Sequence, residues 1–196
     1  MGSATDQEVA LKRPLPTPGV AREGDSERAL IRAAAKGDAD AAEALVRNHW
    51  DDLYRSALVI LQDRAGAQDV AQEAMLSALG SLKRFDRRRS IRPWLHRIAV
   101  NRALDHARAR SRRRESWSPE TQAVAAEALI QGGLSPEMSS ALASLTPRDR
   151  AIVAMRHLFD YRSNEIGDVL GIPAGTVRRR LRDALDAMRV SLEEGE

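Results

Sequence analysis

Charge is segregated along this chain in a way that limits what it can fold into. Between Arg84 and Arg114 there are twelve arginines against only Asp86 and Asp105, and the next stretch, 115–147, has no lysine, arginine or histidine. A cationic block of that density cannot be folded into the middle of a core, because buried charge without a partner is strongly unfavourable. It must lie along a surface, and such a surface attracts polyanions. The segment that follows holds Glu115, Glu120, Glu127 and Glu137 with Pro119, Pro136 and a Gln-Gly-Gly run. It reads as an acidic linker over 115–138 with a short helix at 120–130. The chain is therefore expected to be two modules joined by that linker.

Hydrophobic periodicity makes both modules helical. Residues 1–25 carry Pro14, Pro16, Pro18 and Gly19 and read as a flexible tail. From Ser26 onwards Leu30, Ile31 and Ala34 recur at helical spacing. The first helix is expected to end at Lys36-Gly37, with Asp38 or Asp40 capping the next. A third helix is expected over 50–63, with Leu53, Ala57, Leu58 and Leu61 on one face. A further amphipathic helix carries Val70, Ala74, Met75, Ala78, Leu79 and Leu82. After Asp-Arg-Arg-Arg-Ser, Pro93 suits a first helical turn. Ile91, Trp94, Leu95 and Ile98 then share a face that Asn101 and Asp105 extend, with Arg97, Leu104 and Arg108 along one flank. Strand signals are absent, so the fold class is all-α.

Several function classes drop out. The chain has no cysteine, which excludes disulfides and thiolate metal sites. His49, His96, His106 and His157 make no metal-ligand spacing, no phosphate-binding loop is present, and no cofactor is expected. No apolar run reaches the roughly 18 residues of a membrane span, and the N-terminus has no signal-peptide core. The expectation is a cytoplasmic, nucleoid-associated protein without membrane insertion. Asp51 and Asp52 are adjacent, so they point different ways on a helix and make no catalytic pair. No enzymatic activity is expected.

Two stretches carry binding chemistry. In the C-terminal portion Thr146 caps a helix that has Pro147 in its first turn. Ser163 is expected to cap a second helix, with Glu165, Ile166, Val169 and Leu170, and Gly171 makes a tight turn lined by Ile172. A third helix follows, with Val177, Leu181 and Leu185 facing inward. This is helix-turn-helix spacing, and it leaves Arg178, Arg179 and Arg182 outside, where arginines can meet guanine edges or phosphates in a major groove. The other stretch is Arg-Ala-Gly-Ala-Gln-Asp-Val-Ala-Gln-Glu-Ala-Met. Asp69, Gln72 and Glu73 share one exposed face there, which suits a protein partner with basic groups better than DNA.

Taken in order, "QDVAQEAMLSAL", "FDRRRSIRPWLHRIAVNRALDHAR" and "LTPRDRAIVAMRHLFDYRSNEIGDVLGIPAGTVRRRLRDAL" resemble the RNA-polymerase sigma factors of the extracytoplasmic-function (ECF) type. The resemblance covers roughly 26–114 and 139–190. It implies a sigma region 2-like helical bundle over the first span and a sigma region 4-like helix-turn-helix domain over the second. It further implies that Asp69, Gln72 and Glu73 bind the clamp of the largest subunit of core RNA polymerase. Phe85, Arg97, Ile98 and Asn101 fall on positions that contact the bases of a strand-separated −10 element, with Arg102 and Arg108 beside them on the same helix. Arg178, Arg179 and Arg182 fall on the helix that reads a duplex −35 element. The linker would thread near the template strand, and an anti-sigma factor is a common partner in the family. The chain departs from the usual pattern at Asp183, where relatives often have a basic residue, and at Arg179, where a small polar residue is frequent. Asp183 can accept from a cytosine amino group or restrain a neighbouring arginine.

The function implied is a promoter-specificity subunit that nucleates strand opening with binding energy to unpaired bases. Arg110–Arg114 would add sequence-independent phosphate attraction. The alternative is a stand-alone helix-turn-helix regulator, which has no need of the 69–73 face or the Trp94–Asn101 helix.

Overall fold

The computed structural model describes residues 23–113 and 119–193. The expected tail therefore lies almost wholly outside the described residues, as do Arg114 and Glu115. Among the described residues the elements are all helical: α1 (Glu23–Ala34), α2 (Ala39–Leu61), α3 (Arg64–Ser81), a 3-10 turn (Leu82–Arg84), α4 (Ile91–Arg112), α5 (Pro119–Gln131), α6 (Pro136–Ala143), α7 (Pro147–His157), α8 (Ser163–Leu170) and α9 (Ala174–Glu193).

Helices α1–α4 form the first half. Asp38 caps α2 by accepting from the Ala41 N–H at 2.9 Å, and Gly37 turns the chain with φ +98°. One expectation is corrected here: no helix begins at 50. Instead α2 runs unbroken through His49-Trp50-Asp51-Asp52. Two residues of that run have partners on neighbouring helices. The His49 imidazole lies 3.2 Å from the Glu27 carboxylate on α1, and Asp52 takes the Arg92 guanidinium of α4 at 2.9 Å. Ile31, Leu45, Leu53, Ala71, Ala74, Met75, Leu82, Phe85, Ile91 and Leu95 close one end of the core between these helices.

Helices α6–α9 form the second half. Thr146 caps α7 as expected, its hydroxyl accepting from the Asp149 N–H. Ser163 is not a cap. Arg162 holds the cap position, and its backbone N–H donates to the Glu165 carboxylate at 2.7 Å, so Ser163 begins the helix instead. Gly171 takes the left-handed conformation that ends α8, at φ +65°.

The linker contains the expected helix, α5, and it is not a free tether. Ala125 and Leu129 are fully buried, and α5 packs on α2 and α3. The two halves also pack on each other. A continuous buried cluster joins Ala57–Leu61, Val100, Ala103 and Leu104 of the first half to Leu142, Ile152, Met155, Phe159, Tyr161 and Ile166 of the second. The buried Arg150 guanidinium of α7 donates to the Ile60 carbonyl at 2.9 Å and also to those of Leu145 and Ala143. Ile60 sits in the last turn of α2, where carbonyls have no partner within the helix and the dipole favours a cation. Burial lowers the Arg150 pKa to about 10, which still leaves it charged at neutral pH.

Candidate nucleic-acid and polymerase interfaces

Three exposed faces coincide with the residues singled out in the sequence. On α3, Asp69, Gln72 and Glu73 are all exposed, while Val70, Ala71, Ala74 and Met75 are buried beneath them. Leu76, one turn on from Gln72 and Glu73, is 63% exposed and extends that face with an apolar group. The sequence reading had passed over it. Asp63 holds the start of α3 by accepting from the Gly66 N–H at 3.2 Å. The same carboxylate takes Arg110 of α4 at 2.7 Å, an ion pair whose side chains are mostly buried.

On α4, the core side is Ile91, Leu95, His96, Ala99, Val100, Ala103 and Leu104. Leu104 therefore belongs to the core and not to a flank with Arg97 and Arg108. Arg97, Asn101, Asp105 and Arg108 are exposed and recur at helical spacing, so they line one outer face. Ile98 is half-buried against the core below it. Most arginines beside that face have acidic partners: Arg102 reaches Glu73 at 2.8 Å, and Arg108 reaches Asp105 at 2.6 Å. The Arg102–Glu73 pair joins the α3 face directly to α4.

Phe85 is placed differently from the expectation. It is buried, with its ring centroid 4.9 Å from that of half-buried Trp94. This position makes it part of the floor beneath the loop, and it does not present a ring to solvent. Trp94 likewise packs on the core cluster. The loop above them turns on Asp86, whose side chain accepts from the Arg88 N–H and whose carbonyl accepts from the Arg89 N–H. Arg87, Arg88 and Arg89 are all exposed there.

The third face is on α9. Val177 is fully buried, together with Ala184 and Met188, while Leu181 and Leu185 are half-buried against the same core. Arg178, Arg179 and Arg182 are exposed on the opposite side. Arg178 and Arg179 have no ion pair among the described residues, and Arg182 has only a 3.9 Å approach to Asp183. Asp183 thus stands beside an arginine it can restrain. Arg180 belongs to the frame, since it bridges to Asp149 of α7 at 2.9 Å. Gly167 was also missed. A Cβ at this position would lie 2.5 Å from the Ile172 carbonyl oxygen, so only glycine lets α8 approach the turn this closely. Its signal in the sequence was its place four residues before Gly171, inside a helix where glycine is otherwise unfavourable.

Among the described residues no group of three or more histidine, aspartate or glutamate side chains is arranged to hold a metal. No helix there is long and apolar enough to cross a membrane.

A four-helix first half with a basic outer face, followed by a helix-turn-helix, defines a two-part helical nucleic-acid-binding protein. Comparison with known proteins narrows that class. Residues 45–113 match the Sigma-70 region 2 family and residues 141–190 match the Sigma-70 region 4 family. The chain is 33% identical over 181 residues to the ECF RNA polymerase sigma factor SigC of Mycobacterium tuberculosis, covering 88% of this chain and 95% of the relative. It is 29% identical over 178 residues to SigW of Bacillus subtilis, covering 84% and 95%. In fold it is similar to CnrH bound to the cytosolic domain of CnrY, with TM-score 0.65 and 24% identity over 87% of this chain and 99% of that one. It is also similar to RpoE bound to the anti-sigma factor NepR from Bartonella quintana, with TM-score 0.63 and 16% identity over 77% and 96%. The chain belongs to the ECF-type RNA polymerase sigma factors, the transcription-initiation factors of bacterial polymerase. The stand-alone regulator is set aside, because region 2 is matched as well as region 4.

Proposed function

We propose that this sigma factor divides its work among the three faces. The α3 face of Asp69, Gln72 and Glu73 docks on basic groups of the clamp of the largest polymerase subunit. The outer face of α4, through Arg97, Ile98, Asn101, Arg102 and Arg108, captures the −10 element as a single strand, with Asn101 offering its amide to an unstacked base and the arginines meeting phosphates. Phe85 acts from beneath by holding Trp94 and the loop in place. Arg178, Arg179 and Arg182 read the −35 element as duplex DNA. The protein performs no chemistry of its own. Strand opening draws on binding to unpaired bases, and the site of action is the nucleoid. The domain limits supported by this reading are 26–114 and 139–190, with α5 in the linker between them. An anti-sigma factor is the inhibitor expected, as RpoE has NepR.

The observation that carries this reading is the coincidence of three exposed faces of the right charge on one chain: acidic on α3, basic and amide-bearing on α4, and unpaired arginine on α9. The test is transcription by purified core polymerase on pooled genomic fragments, with and without the protein. New start sites preceded by a shared pair of elements are expected. Asp69→Arg with Glu73→Arg should abolish them while leaving duplex binding by the C-terminal half intact. Start sites unaffected by that charge reversal would remove α3 from the docking role.

A further inference from the structure

His96 occupies an unusual position for a titratable group. It is fully buried on α4, at the seam between the two halves, and neither ring nitrogen has a hydrogen-bond partner. Its neighbours across the seam are aromatic. Phe159 meets the imidazole edge-to-face with centroids 4.5 Å apart, and Tyr161 does so at 5.4 Å. Both come from the short connection between α7 and α8, and the Tyr161 hydroxyl is itself buried without a partner. Arg92, one turn earlier on α4, lies 5.7 Å from the Phe159 ring centroid. The ring is thus the first half's contribution to an aromatic joint whose other members belong to the second half.

The charged groups around this joint do not provide for an imidazolium. From α2, the Asp52 carboxylate is 3.9 Å from the His96 Nε2, but it is already engaged by Arg92 at 2.9 Å. His49, also on α2, and Arg92 both oppose a second positive charge. From the second half, Glu165 on α8 acts on Tyr161 and not on His96. Burial outweighs the attraction of Asp52 and holds the His96 pKa at about 3 while the halves are closed. Released into water, the same ring would titrate near the ordinary value of about 6.5.

We propose that the His96–Phe159–Tyr161 joint is a proton-sensitive latch between the two halves of this sigma factor, closed while His96 is neutral and opened by its protonation. The direction follows from linkage. A histidine that binds a proton more weakly in the closed state favours closure fully above about pH 6.5, and loses that advantage as pH falls below it. The closed form's own pKa sets the lower limit of the window.

Opening has a functional consequence, which rests on the proposed function. Two promoter elements centred near −35 and −10 are separated by roughly 25 base pairs, about 85 Å of B-form duplex at 3.4 Å per step. A compact chain of this length has a radius of gyration of about 16 Å. With α7 and α8 docked on α2 and α4, the α4 and α9 faces sit on one body and cannot reach both elements together. The closed form is then unable to read a whole promoter, and the latch sets how much of the protein can.

The full chain has no cysteine, so a dye pair can be placed without removing any native residue. Ala39→Cys on α2 and Ala187→Cys on α9 are exposed positions on opposite halves, away from the three faces. Single-molecule energy transfer between them, with no polymerase or promoter present, counts closed and open molecules. The open-to-closed ratio is expected to rise about tenfold between pH 7.5 and 5.5, the increase that an open-state pKa near 6.5 dictates. His96→Phe keeps an aromatic ring at the joint and removes the proton site, and His96→Gln removes the proton site in a smaller side chain. Both are expected to hold one ratio across the range. An unchanged ratio in the unsubstituted chain would overturn the latch. So would an equal rise in His96→Phe, or loss of helical circular dichroism in step with the rise, which would mark unfolding instead of opening. Failure here leaves the transcription test untouched, because the two assays share no component except the protein.

Discussion

Helices α4 and α9 both present arginine to solvent, but they differ in how much of it is paired. On α4, Arg92, Arg102 and Arg108 each have a carboxylate within 3 Å, as does the mostly buried Arg110, while exposed Arg97 has no ion pair among the described residues. On α9, Arg178 and Arg179 have none among the described residues, while Arg180 is held by Asp149 to the neighbouring helix. The difference fits the two targets proposed for these helices. A duplex groove has fixed geometry, so a recognition helix needs a rigid frame and arginines free to form bidentate contacts. A separated strand has no fixed geometry, and a surface that bound any polyanion strongly would not discriminate. Partial neutralisation by Glu73, Asp105, Asp52 and Asp63 lowers that non-specific attraction while keeping the side chains in place.

The largest effect expected from a single substitution tests what the two halves share. Arg150→Ala strips the donor from the Ile60, Ala143 and Leu145 carbonyls, two of these bonds being buried. Hydrogen bonds to a charged group are each worth about 1.5–3 kcal/mol. A loss of about 3 kcal/mol or more in urea unfolding is expected, with α2 and α7 losing amide-exchange protection together. If α7 alone lost protection, the seam would not be one cooperative unit.

Next comes the frame of the recognition helix. Gly167→Ala places a methyl group 2.5 Å from the Ile172 carbonyl oxygen, so backbone must shift. Overpacking of this kind costs roughly 1–3 kcal/mol, and duplex binding should fall because α9 is re-aimed. No such close approach exists among the first half's glycines: Gly66 would meet the Asp63 side chain and the His106 ring, Gly80 meets nothing within 4 Å, and Gly37 is constrained by its φ of +98° and not by space.

This asymmetry also marks what was legible in the sequence. The all-helical class, the cap at Thr146, the turn at Gly171 and the outward arginines of α9 could be read because each is a local pattern. The setting of His49 and Asp52 within α2 could not, since their partners lie 22 and 40 residues away, at Glu27 and Arg92. The packing of one half on the other was hidden for the same reason. His96 read only as one of four histidines without metal-ligand spacing, and no motif in the sequence singled out Arg150. Their one signal was position: Val153 and Ala154 lie one turn beyond Arg150, and Ala99, Val100 and Ala103 one and two turns beyond His96, all on buried stripes. Phe85 was assigned to DNA by resemblance, and only the packing against Trp94 shows that its ring is enclosed.

A smaller and more selective effect separates the arginines of the two helices in DNA binding. Arg179→Ala removes an unpaired cation and should weaken duplex −35 binding by about 1–3 kcal/mol if it reads a base edge. The discriminating measurement is affinity across all substitutions of the element. Relaxed preference at one or two positions marks base reading, whereas uniform weakening with a shallower salt dependence marks a phosphate contact. Asp183→Ala, which frees Arg182 from its 3.9 Å neighbour, should strengthen binding while broadening preference.

The smallest effect on stability, at the Arg102–Glu73 pair, tests the comparison most directly. Its side chains are 39% and 63% exposed, and exposed pairs contribute about 0.2–1 kcal/mol. Arg102→Ala and Glu73→Gln should therefore shift thermal unfolding little. Their effects on binding should differ in sign at the −10 strand. If Arg102 meets a phosphate as proposed, its loss should lower the salt slope for single-stranded −10 DNA by about one. Glu73→Gln releases the arginine and should strengthen that binding, while weakening attachment to core polymerase because Glu73 also belongs to the proposed docking face. If both substitutions weakened strand capture equally, the pairing would serve to position Arg102 and not to restrain it, and the contrast between the guarded arginines of α4 and the free ones of α9 would lose its meaning.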